Sequence, residues 1–179
     1  MKSYPKRALL AIFMSETNLP RSGILAFMDD HAREQFDSYG CVVSTTAGQV
    51  LMREGEVNTM LYVVLAGTFQ ISSEANGNEV VLDTVGVGDC LGEVAIFNPD
   101  RASATVKSLQ DGRLWTIDAP ALQDFLYEWP DYGCAALLGI DIILSRRLKR
   151  ANSVIRHHEI VPGFLSVRAR KRAATSSLR

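Results

Sequence analysis

The sequence predicts a mainly β fold, a sandwich or barrel-like roll, flanked by helices and followed by one long C-terminal helix. Three observations carry this. Between residues 41 and 118, short β-branched and aromatic runs are cut at near-regular intervals by glycines. Pro120 and Pro130 bracket a short helical stretch. Beyond Tyr132 an apolar stripe recurs at steps of three and four with no proline before residue 162.

Taken in chain order, "ALLAIFM" (8–14) follows Lys6 and Arg7 in the manner of a signal peptide. The run is short and no small-x-small site follows, so it reads as a segment that packs on something. In residues 15–40, Leu25, Met28, Ala32 and Phe36 share one helical face, and Gly40 stands where a helix would stop. "CVVSTTAGQVLMREGE" and "MLYVVLAGTFQIS" then read as strands. "SEANGNEVVLDTV" reads as a hairpin about Asn76-Gly77. "SATVKSL" and "GRLWTID" add two strands around Asp111-Gly112. Asp118 or Ala119 caps the helix "APALQDFLYEW". In the long helix Leu137, Ile140, Leu144, Leu148, Ala151 and Ile155 form a stripe that faces a core or a twin helix, weakened slightly by Gly139. Pro162 and Gly163 end regular structure. The expected organisation is an N-terminal helical segment (1–40), a β domain with its C-terminal helices (41–156) and a mobile basic tail (157–179).

With 179 residues, 47% of them hydrophobic, the chain suits one domain with an added segment. Cys41, Cys90 and Cys134 are odd in number and far apart, which argues against a disulfide framework or zinc site and for a reducing compartment, the cytoplasm. No run approaches the ~20 apolar residues of a membrane span. The net charge of −1 hides a split. From Ser145 onward ten Lys/Arg face one acid, whereas Met1 to Leu144 carries nine basic and nineteen acidic residues. Such asymmetry suits an interaction tail or simply solvated faces.

The chemistry concentrates in "GDCLGEVAIFNPDRASATV" (88–106). A glycine lets backbone approach a ligand, turn N–H groups attract an anion, and arginine offers a planar fork for phosphate. A glutamate accepts from sugar hydroxyls. Gly92 and Glu93 with Arg101 and Ser103 therefore suit a phosphorylated sugar; a strand–turn–strand with a surface arginine fits the same spacing. His157-His158-Glu159 is a poor chelate, because helix neighbours diverge, so no metal is expected. His31, beside Asp29 and Asp30, reads as a charged helix face, and Trp115 and Trp129 read as packing residues. No nucleophile–base order, Walker loop or paired carboxylates occur, so an enzyme is not expected.

In their order and spacing "AGQVLMREGE", "LYVVLAGTFQI", "GDCLGEVAIF", "ATV" and "SRRLKRAN" resemble the cyclic-nucleotide-binding domain family, which includes catabolite activator proteins and regulatory subunits of cyclic-AMP-dependent kinase. The resemblance implies a jelly-roll-like β-roll with a phosphate-binding cassette, two following helices, and cyclic AMP or cyclic GMP as ligand. It places Gly92 and Glu93 at the cassette's Gly-Glu, with the glutamate accepting from the ribose 2′-hydroxyl. Val94 and Ala95 follow with backbone facing the ligand. Ser103 and Ala104 match the small pair on the cyclic phosphate. Ala151 and Asn152 match the helix turn that reaches the base. Arg101 departs from the pattern: the family arginine falls at Ala102, one residue later. Either the loop is re-spaced and Arg101 reaches the phosphate, or the pocket lacks its main cation.

Activators of this family carry a helix-turn-helix reader after the long helix. The ~24 residues after Ile155 are too few for one, so sequence-specific DNA binding is not expected. The expectation is a stand-alone sensing module that dimerises through the C-terminal helix and signals to a protein partner. Its rival is a degenerate domain that has lost the nucleotide and serves as a protein–protein interaction module.

Overall fold

The structure, a computed structural model, describes residues 19–97 and 101–158. The apolar segment 8–14 and residues 159–179 of the basic tail lie outside these residues. Two compact units divide the chain, Met1–Ile143 and Leu144–Arg179.

In the first unit a 3-10 turn (Gly23–Leu25) precedes α1 (Asp30–Asp37). Asp29 caps α1 by accepting the Ala32 N–H at 2.7 Å. Leu25, Met28, Ala32 and Phe36 are all buried, although residues 26–29, which are not helical, separate the turn from α1. The shared face is therefore made by two short elements rather than by one helix.

Among the described residues eight strands follow: β1 (Cys41–Thr45), β2 (Val50–Met52), β3 (Met60–Ala66), β4 (Phe69–Ala75), β5 (Asn78–Val85), β6 (Cys90–Leu91), β7 (Thr105–Ser108) and β8 (Gly112–Asp118). They form two antiparallel four-stranded sheets in the orders β1-β8-β3-β6 and β2-β7-β4-β5. This is the expected β-roll with flanking helices. Val64, Phe69, Val85, Leu91, Val106 and Leu114 form its core. Asn76 and Gly77 close the β4–β5 hairpin with φ of 54° and 77°, the paired left-handed conformation that a two-residue hairpin turn requires.

A second cluster joins α1 to the roll. Phe36 lies 4.5 Å from Trp115 and 4.9 Å from Phe125 between ring centroids. Trp115 is fully buried and donates its indole N–H to the Asp37 carbonyl. His31 meets the rings of Trp129 and Tyr132 edge-on, so it sits against aromatic faces as well as beside its acidic neighbours.

Asp118 caps α3 (Ala119–Glu128) through the Ala121 N–H at 2.8 Å, and Pro130 opens α4 (Pro130–His158). The buried face of α4 differs from the expected stripe. Ile140 is buried, but Leu137 and Leu148 are exposed, and the other inward residues are Gly133, Ala136, Gly139 and Ile143. Close approach explains this: a Cβ on Gly139 would lie 2.1 Å from the Ile24 carbonyl oxygen. Gly139 is thus where the helix meets the 3-10 turn.

Candidate functional site

The stretch 88–106 enters β6 at Cys90, and β6 pairs with β3 through Tyr62↔Leu91 and Val63↔Cys90. Gly92 leaves the strand with φ of +79°. A Cβ here would fall 2.2 Å from the Met60 carbonyl oxygen and 2.7 Å from Asn58 Nδ2. Conformation and space both demand glycine. Glu93 then opens the short α2 (Glu93–Phe97), whose Ile96 N–H donates to the Gly92 carbonyl at 3.2 Å. Glu93 is only 5% exposed; Val94 is half exposed and Ile96 is buried. Ala95 lies within α2, and its side chain is outside the described residues.

The chain returns at Arg101, which forms an isolated antiparallel bridge with Val57. The Ala102 N–H donates to the Glu56 carbonyl at 2.7 Å, and the Gly55 N–H donates to the Ala102 carbonyl at 2.9 Å. Arg101 Nη1 donates to the Gly55 carbonyl at 2.6 Å. Side-chain burial alternates along this return: Arg101 and Ser103 are exposed, while Ala102, Ala104 and Val106 are buried. Position 102, where the family pattern has its arginine, thus faces the interior beside core residues. Arg101 shares the outer side with Ser103.

Both flanks are tied to one segment. Gly92 abuts Asn58 and Met60, while Arg101 and Ala102 are bonded to residues 55–57. Val57 and Asn58 are neighbours, about 3.8 Å apart along the chain. The Gly-Glu flank and the Arg-Ser flank therefore converge despite eight residues of separation in sequence. Asn58 anchors the junction. It is 7% exposed, donates Nδ2–H to the Met60 carbonyl at 2.8 Å and accepts the Met60 N–H through Oδ1. Sequence reasoning missed Asn58. Its only signal is a polar amide set just before an apolar strand.

Ala151 and Asn152 stand within α4 in the second unit, and Asn152 is exposed. His157 and His158 are the last residues of α4, with side chains outside the described residues. None of the three cysteines is in a disulfide, and Cys90 is buried. Among the described residues no group of His, Cys, Asp and Glu could hold a metal ion. No helix there is long and apolar enough to cross a membrane.

The backbone of Gly92 and of Arg101–Ala102 thus meets one segment, residues 55–60, with Glu93 nearly buried and Arg101 and Ser103 exposed. Comparison with known proteins places the domain that carries these residues in a family. Residues 42–128 match the model of the cyclic nucleotide-binding domain. A CRP-like cAMP-activated global transcriptional regulator of Mycobacterium tuberculosis is 27% identical over 136 residues, which cover 75% of this chain. The match spans 59% of that regulator's length. The N-terminal domain of a transcriptional regulator from Streptomyces coelicolor superposes with a TM-score of 0.63 at 28% identity, covering 76% of this chain and 94% of that one. The catabolite activator protein of Thermus thermophilus shares the fold, with a TM-score of 0.67 at 18% identity over 76% of this chain and 62% of that one. Residues 42–128 of this chain belong to the cyclic nucleotide-binding domain family.

Proposed function

We propose that the chain is a ligand-sensing module that binds cyclic AMP or cyclic GMP in the cassette spanning Gly92 to Ala104. The convergence of both cassette flanks on residues 55–60 carries this reading. In it, Glu93 accepts from the ribose 2′-hydroxyl, and the backbone of Gly92, Val94 and Ala95 lies against the ligand. Ser103 and Ala104 hold the cyclic phosphate, and Arg101 supplies its cation. The placement of Arg101 beside Ser103 supports the re-spaced loop, because a cation at Ala102 would enter the core. Arg101 now donates to the neutral Gly55 carbonyl. An anionic phosphate is the stronger acceptor and can draw the guanidinium away.

The output is a population shift. Ligand held by the cassette favours one of two states of the domain by its differential affinity for them. The exposed Leu137, Leu138 and Leu148 suit pairing of α4 with a second copy and passage of the signal to a protein partner. Sedimentation showing only monomer at high concentration would exclude the pairing. The reading is of a binding module rather than an enzyme, without metal, and acting in the cytoplasm. Its rival, a domain that no longer takes nucleotide and serves only as an interaction module, draws on the Arg101–Gly55 contact, which engages the cation within the protein.

Calorimetric titration of the full chain with each nucleotide tests the site. Glu93→Ala and the near-isosteric Glu93→Gln should both weaken binding by about 1.5–3 kcal/mol, roughly ten- to a hundredfold. Unchanged affinity in a folded Glu93→Gln variant refutes the assignment.

A further inference from the structure

β5 ends its sheet, and among the described residues no strand pairs with its outer side. Val80, Val81 and Leu82 are 43%, 56% and 57% exposed. Consecutive strand residues point to opposite faces, so β5 is open on both. The pairing with β4 passes from Ser72↔Val81 to Ile71↔Asp83, which leaves Leu82 unopposed at a bulge. Edge strands are commonly guarded by lysine or proline, and β5 contains neither.

Charge says what would fit. Residues 54–100 hold eight acidic residues and no lysine, arginine or histidine. Glu74 and Glu79 are exposed on the β4–β5 hairpin, and Asp83 is half-buried on it. The two-residue turn sets the register: Ala75↔Asn78 is the closing bonded pair, so the backbone groups of Glu79 and Val81 face outward. The Thr84 N–H is taken by Asp83 Oδ1 at 2.9 Å, which ends the open stretch. A second β5 brought alongside would set Glu79 and Asp83 against like charges, which disfavours self-pairing.

We propose that the outer edge of β5 is a docking edge for a basic, extended peptide segment of a protein partner. Backbone bonds to Glu79 and Val81 supply affinity, alternate apolar side chains cover Val80 and Leu82, and the intervening cations meet the acidic rim. The inference is independent of nucleotide binding.

The test uses the full chain and a fluorescent seven-residue peptide of alternating arginine and valine. The peptide should bind in anisotropy titration. Glu79→Lys, or Leu82→Lys should that variant fold better, should weaken binding at least about fivefold. Methylating alternate backbone nitrogens of the peptide should weaken it about tenfold, because it removes strand pairing but keeps charge. Equal binding of the methylated peptide reduces the contact to plain electrostatics and overturns the proposal, as does unaltered binding by both lysine variants. A benzophenone side chain introduced at Val81 should cross-link to the added peptide. Capture of residues 164–172 of the same chain, or of a second copy, in its place would name another occupant and overturn the partner reading.

Discussion

The tripeptide Val-Val-Leu occurs twice, at 63–65 in β3 and at 80–82 in β5. In β3, Val63 and Val64 are fully buried, and the strand lies between β8 and β6. In β5 the same residues are roughly half exposed at a sheet edge. Side-chain chemistry is therefore not what separates core from surface here; position in the sheet is. The contrast also divides the work. β3 holds Met60 and Tyr62 beneath the cassette turn, whereas β5 presents an open acidic edge.

The sharpest way to break this contrast is to truncate one leucine on each strand. Leu61→Ala in β3 should cost about 2–5 kcal/mol, since a fully buried side chain is lost and a cavity left. Leu82→Ala in β5 should change stability by no more than about 0.5 kcal/mol. Urea denaturation of both variants checks the pair; similar losses would mean that β5 is covered in solution. Asn58→Ala comes next. It removes a buried amide at the entrance to β3 and should cost about 1–3 kcal/mol while also weakening nucleotide binding. A variant of normal stability and affinity would show that Asn58 does not hold the cassette flanks.

The smallest effect concerns Tyr62. Burial raises its pKa, so the folded state keeps the phenol protonated more firmly than the unfolded chain does. Its contribution is present below the ordinary tyrosine value of about 10 and is lost as pH rises through the raised value. Above the ordinary tyrosine value of about 10, stability should fall less steeply with pH in Tyr62→Phe than in the parent. Identical slopes would contradict the burial argument.

Much of the fold was legible because its punctuation is local. Asn76-Gly77 and Pro130 act through their own backbone and Asp118 through a carboxylate that reaches three residues on, and each stands where its chemistry predicts. The face of α4 was not legible in this way. Hydrophobicity marks Leu137 and Leu148, yet the helix is buried through Gly133, Ala136 and Gly139, because backbone approach rewards smallness. At the site, Gly92 and Glu93 were readable as a pair. The orientation of Arg101 was not, since it depends on a bridge to Val57, 44 positions away. A lone amide such as Asn58 carries no signal until its partners are known.

The central claim is that this β-roll still takes a cyclic nucleotide with Arg101 as its cation. Titrating the full chain and Arg101→Ala with cyclic AMP and cyclic GMP, read by calorimetry and by melting temperature, tests it most directly. One of the two nucleotides should bind and raise the melting temperature, and Arg101→Ala should lose at least about tenfold in affinity, the loss of one charge-assisted contact. No binding and no thermal shift at about millimolar nucleotide, where even a weak site contributes measurable stability, would contradict the account and leave the interaction module standing.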